Sequence, residues 1–89
     1  ISTGKLNRWL MPILENNPPP SYKGKKHSIR YITQVNVKPP TFAVFISSPE
    51  NLPASYKRFL MTSLMESFDL LGLPIRVMLR KGKNPYVDV

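Results

Sequence analysis

The sequence predicts an α+β domain, a two-layer sandwich of order α-β-β-α-β with two helices on one face of a three-stranded sheet. Three observations predict it. Apolar residues recur at helical spacing in two separate stretches, 2–15 and 55–70. Three alternating runs rich in β-branched and aromatic residues lie outside those stretches. The chain has 89 residues, enough for one domain with one small core.

In the first helix, Leu6, Trp9, Leu10, Ile13 and Leu14 fall on one face, and Ser2 or Thr3 can cap its start. Pro12 has no N–H and its ring crowds the preceding turn, so a kink or a shortened last turn is expected there. Asn16-Asn17-Pro18-Pro19-Pro20 stops the helix, and the prolines form a stiff spacer. After the basic turn Lys23-Gly24-Lys25-Lys26, a strand is expected at 27–35 with Ile29, Tyr31, Thr33 and Val35 on one face. A second is expected at 41–47 with Phe42, Val44 and Ile46 together. The connection holds Lys38-Pro39-Pro40 and cannot be helical, so the two strands form an antiparallel hairpin. Ser55 is the expected cap of the second helix, built on Tyr56, Phe59, Leu60, Leu64 and Phe68, and Gly72 the expected left-handed residue at its end. The third strand, 74–81, turns Ile75, Val77 and Leu79 to the helices and Arg76 and Arg80 to the open face, where Arg30 is also expected. Residues 1–83 form the domain and 84–89 a flexible, basic-to-polar tail. The chain begins at Ile1, not Met, and reads as a piece of a longer protein.

Net charge is +8, and nine of the thirteen basic residues fall in two stretches without an acid. They are Lys23, Lys25, Lys26, Arg30 and Lys38, then Arg76, Arg80, Lys81 and Lys83. Such concentration points to a polyanion, nucleic acid first, and these nine are the candidate phosphate contacts. Tyr22 and Tyr31 beside them are candidates for stacking on unpaired bases. Both helices carry bases early and acids late, against the backbone dipole. Lys57 and Arg58 at the start of the second helix form a candidate anion site.

The residue inventory excludes several activities. No Gly-Lys pair has P-loop spacing, so the chain has no phosphate cradle of that kind. The single histidine, His27, and the absence of cysteine leave no His- or Cys-based metal cluster or triad, and the five acids are scattered. No catalytic residue, metal site or cofactor is expected in this chain, and no apolar run is long enough to span a membrane.

Ser2-Thr3-Gly4-Lys5-Leu6-Asn7-Arg8-Trp9-Leu10, Pro18-Pro19-Pro20, Tyr31 with Thr33-Gln34-Val35, Pro39-Pro40-Thr41-Phe42, Ser55-Tyr56-Lys57-Arg58-Phe59-Leu60 and Pro74-Ile75-Arg76 occur in that order. Together they resemble the C-terminal KH-like domain of the bacterial GTPase family Der, also called EngA, over residues 2–83. The resemblance implies a KH-like fold within a cytoplasmic protein that carries two GTPase domains, with GTP and Mg bound there and not here. It also implies a role in assembly of the large ribosomal subunit, docking on ribosomal RNA, and nucleotide-dependent packing against the GTPase domains. An alternative is an intramolecular regulatory module without RNA contact. The chain lacks the G-x-x-G loop with which ordinary KH domains clamp a nucleic-acid backbone, as the Der family does, so that groove is not implied. Met11-Pro12 departs from the family, which continues the helix with good helix formers.

Overall fold

Helix α1 (Thr3–Asn16) starts where Ser2 is extended and its hydroxyl accepts a hydrogen bond from the Lys5 N–H at 3.2 Å. In the computed structural model the described residues are 1–21, 24 and 28–82. Tyr22, Lys23, Lys25, Lys26, His27, Lys83 and the expected tail lie outside them. Leu6 and Leu10 of α1 are buried in the core, with Trp9, Ile13 and Leu14 at its margin. Of the two effects expected of Pro12, the shortening does not occur: the last turn runs on to Asn16, and the Asn17 N–H closes it on the Ile13 carbonyl at 2.9 Å. The proline sits on the exposed side, and packing of Ile13 and Leu14 holds the turn beyond it.

The hairpin forms as expected from β1 (Ile29–Asn36) and β2 (Thr41–Ile46), paired antiparallel. The chain then passes a short 3-10 turn (Pro49–Asn51) and helix α2 (Ala54–Ser67) to β3 (Arg76–Lys81), which lies parallel to β2. The sheet order is β1-β2-β3, so β2 is central and is buried along nearly its whole length. Phe42, Val44 and Ile46 share the helix-facing side with Val77, while Leu60 and Leu64 of α2 close the core from above.

The strict alternation expected in β1 fails. Ile29 pairs with Ile46 and Ile32 with Val44, so three steps on β1 match two on β2. The extra residue is a bulge between Ile29 and Tyr31. It lets Ile29 and Ile32 both enter the core and sends Tyr31 to the other face, beside Phe45. Arg30 lies at the bulge itself and does not simply alternate onto the open face.

Helix α1 closes the outer edge of β1. The Asn7 amide donates to the Ile32 carbonyl at 2.9 Å, and its oxygen accepts from the Ile32 N–H at 3.1 Å. Thr3 and Thr33 hydroxyls meet at 3.0 Å one step further on. The two helices are tied to each other as well. The Trp9 indole donates to the Ser67 hydroxyl at 2.9 Å, and the Tyr56 hydroxyl donates to the Asn17 carbonyl. Burial raises the Tyr56 pKa above the ordinary tyrosine value, which keeps that hydroxyl protonated and donating.

Both ends of α2 differ from expectation. Its cap is Pro53, not Ser55, and no side chain caps it. Pro53 is already extended, with ψ 144°, and its carbonyl accepts from the Tyr56 N–H, so Ser55 falls inside the first turn. At the other end, Asp69 takes the left-handed conformation (φ 56°), and the Leu70 N–H bonds back to the Met65 carbonyl at 2.8 Å. That is a Schellman closure three residues before Gly72. Gly72 (φ 86°) instead serves the following turn, where the Leu73 N–H bonds the Leu70 carbonyl. Asp69→Gly should therefore raise the unfolding free energy by about 1 kcal/mol. It relieves the left-handed strain and removes an acid from a helix C-terminus. Urea denaturation checks it, and an unchanged midpoint would show that Asp69 bears no strain.

Candidate nucleic-acid interface

Parallel pairing of β2 and β3 decides where the basic residues go. Arg76 is level with Thr41, and Lys81 with Ile46. Ile46 also pairs with Ile29, which brings the start of β1 to the same end as the finish of β3. Arg30, Arg80 and Lys81 therefore gather at one end of the sheet, all three exposed. Arg76 lies at the other end, where its N–H bonds the Pro40 carbonyl at 2.9 Å, two residues past Lys38. Five residue steps of β2 separate the two groups, about 17 Å. The basic residues thus form two sites and not one patch. Among the described residues, none of Arg30, Arg76, Arg80 and Lys81 has an acidic partner.

The remaining candidates are placed unevenly. Lys23, Lys25, Lys26, Lys83 and Tyr22 lie outside the described residues. Tyr31, taken as a stacking residue, is only 8% exposed, and its ring packs on Phe45 with centroids 5.9 Å apart. It lies on the face away from Ile29 and is buried there, so little of its ring is left for a base to stack on. The start of α2 has no acid and no side-chain cap; Lys57 is half-buried there and Arg58 exposed.

Arg8 was not among the basic residues picked out by their clustering in the sequence. It is exposed on the flank of α1 beside the apolar stripe. A Cβ built on Gly4 would stand 3.4 Å from its Nη1, so the guanidinium lies against the first turn of the helix. Arg8 and Arg30 face a common groove of about 480 Å³ between α1 and the start of β1. The signal was available in the i, i+4 spacing of Gly4 and Arg8, but Arg30 comes opposite them only through the docking of α1 on the edge of β1.

Among the described residues no three His, Asp or Glu side chains come together to hold a metal ion, and no helix is long and apolar enough to cross a membrane. The family described as KH-domain-like of EngA bacterial GTPase enzymes, C-terminal, matches residues 1–80. Proteins called GTPase Der are similar to nearly the whole chain. That of Mesorhizobium japonicum is 49% identical over 97% of it, and that of Bartonella bacilliformis 47% over 98%. That of Hyphomonas neptunium is 48% identical over 94%. The chain spans only 16–18% of the length of these three relatives. With α-β-β-α-β order, three mixed strands and a family match over residues 1–80, the chain belongs to the KH-domain-like C-terminal domains of the EngA GTPases.

Proposed function

We propose that this domain docks a GTPase onto RNA of the large ribosomal subunit and packs against the GTPase domains of the same polypeptide in a nucleotide-dependent way. The observation that carries the RNA contact is the group Arg30, Arg80 and Lys81, exposed at one end of the sheet without acidic partners among the described residues. Guanidinium and ammonium groups without internal partners are available to phosphates. Lys23, Lys25, Lys26 and Lys83 are close to this end in sequence and extend the proposed contact. Lys57 and Arg58 offer a further anion site. GTP hydrolysis, with its GTP and Mg, belongs to other domains of a cytoplasmic parent.

A second reading, an intramolecular module, is favoured by the opposite end of the sheet. Val35, Val37, Leu71 and Leu73 are 52%, 78%, 66% and 48% exposed. The Arg76–Pro40 hydrogen bond draws the β1–β2 connection and the α2–β3 loop together there. Bare apolar side chains gathered at one end suit a protein partner. The two surfaces lie at different ends, so packing at the apolar end leaves the basic end open; the second reading differs from the first in denying the RNA contact.

The test is binding of the full-length protein to large ribosomal subunits over a salt series, with GTP or GDP. Each lost phosphate contact should flatten the plot of log affinity against log salt by about 0.7–0.9. Arg80→Glu with Lys81→Glu should weaken binding at least tenfold at physiological salt and flatten the slope. An unchanged slope, or a wild-type affinity indifferent to salt, would leave only the intramolecular reading.

A further inference from the structure

We propose that the groove between α1 and the start of β1 holds about one or two unpaired nucleotides of single-stranded RNA. Arg8 and Arg30 grip the phosphates, and Leu10, Met11, Leu14 and Ile29 lie against base and sugar. This rests on the reading that the domain contacts RNA, and it names where bases, as opposed to backbone alone, are held.

The groove combines three properties. Its volume, about 480 Å³, falls in the range of clefts that enclose a small organic ligand. Its lining includes two guanidinium groups and no acid among the described residues. Its floor is apolar, and Met11 is 63% exposed, an uncovered thioether of the kind that packs well on aromatic rings. A free inorganic anion would need the arginines but not the floor. A duplex would reach the arginines through its phosphates, yet it keeps its base faces stacked and out of reach. An unpaired nucleotide uses both.

An extended acidic peptide is the competing occupant, and the edge of β1 argues against it. Peptides that lie along a sheet edge gain affinity by adding a strand. Asn7 already takes both the N–H and the carbonyl of Ile32, so the edge is closed to strand addition there. Recognition is left to side chains and shape.

The groove itself follows from the fold. Thr3 and Asn7 hold the first half of α1 tightly to Thr33 and Ile32. The bulge between Ile29 and Tyr31 bends the strand opposite the second half, around Met11 and Leu14, where no such hydrogen bond closes the gap among the described residues.

The test uses the full-length protein with two probes, a labelled oligouridylate of about eight nucleotides and an RNA hairpin that is duplex throughout its stem. Arg8→Gln with Met11→Ser should lower oligouridylate affinity about tenfold or more and hairpin affinity about threefold at most, the share of the lost Arg8 phosphate contact. Met11→Ser alone alters no charge and should still cost about threefold with oligouridylate. Both residues are exposed, so thermal unfolding of the variants should match wild type. Unchanged oligouridylate affinity, or equal losses with both probes, overturns the groove; hairpin binding that still depends on Arg80 and Lys81 would leave the wider RNA reading standing. Wild-type protein that binds neither probe overturns both. Groove-dependent binding of polyglutamate without oligouridylate binding reassigns the groove to an acidic peptide and overturns the proposal.

Discussion

Asn7→Ala should lower the unfolding free energy by about 3 kcal/mol, the largest loss expected from any polar side chain in the domain. The amide satisfies both backbone groups of Ile32 on the outer edge of β1, at 2.9 and 3.1 Å, and it also donates to the Thr3 carbonyl at 2.8 Å. Truncation leaves the Ile32 N–H and carbonyl facing a helix with no partner, at about 1–3 kcal/mol each. The better helix propensity of alanine offsets only about 0.5 kcal/mol. Against a total stability on the order of 5 kcal/mol for so small a domain, most of the folding free energy is at stake. Asn7→Asp separates the two bonds: it keeps an acceptor for the N–H and loses the donor to the carbonyl. Urea unfolding should order the three proteins wild type, Asp, Ala. A loss below about 1 kcal/mol for Ala would mean that water closes the edge as well as the amide does.

Pro12→Ala should move stability the other way, by about 2 kcal/mol. Proline inside a helix removes one hydrogen bond and crowds the preceding turn, at about 3 kcal/mol relative to alanine. Part of that returns because proline also restricts the unfolded chain, by about 0.4–1 kcal/mol. The helix persists through Asn16 despite Pro12, so the substituted chain needs no rearrangement to gain the bond from residue 12 to the Arg8 carbonyl. The check is the shift in urea midpoint, with the slope unchanged. A midpoint that stays put would mean that the Arg8 carbonyl already has a solvent partner of equal worth.

Element type and order were legible in the sequence because both helices and β2 carry clean periodicities. Leu6 and Leu10, Leu60 and Leu64, and Phe42, Val44 and Ile46 are all core residues at their expected spacings. What a period cannot carry is a change of register. The bulge at Arg30 put Ile29 and Tyr31 on opposite faces, and with that changed the status of Tyr31 as a stacking residue. Local backbone choices were equally hidden. Asp69 adopts the left-handed conformation ahead of the more permissive Gly72, because the Schellman bond from Leu70 to Met65 fixes the exit there. The candidate site was legible as charge and, in part, as geography. Arg76 and Arg80 were expected on one open face, and their register with Thr41 and Phe45 puts them there, on the side away from Phe42, Val44 and Ile46. Four steps of extended strand, about 13 Å, still set them toward opposite ends of the sheet. Arg8 and Arg30, by contrast, come from separate elements, and only the docking of α1 on the β1 edge brings them to one groove.

The strand order has one more consequence. With β2 in the middle, the sheet has two margins, and among the described residues a helix side chain closes the β1 margin, through Asn7, and not the β3 margin. The β3 margin carries Arg76, Arg80 and Lys81 within six residues. Charges on an exposed margin repel a second copy that would otherwise zip on through its backbone. The side chains proposed to hold phosphate therefore also keep the domain from self-association. Replacing them with alanine or leucine would confound weakened RNA binding with aggregation, whereas glutamate removes the phosphate contact and keeps the repulsion. Light scattering on the two kinds of variant would separate these two duties of a single strand.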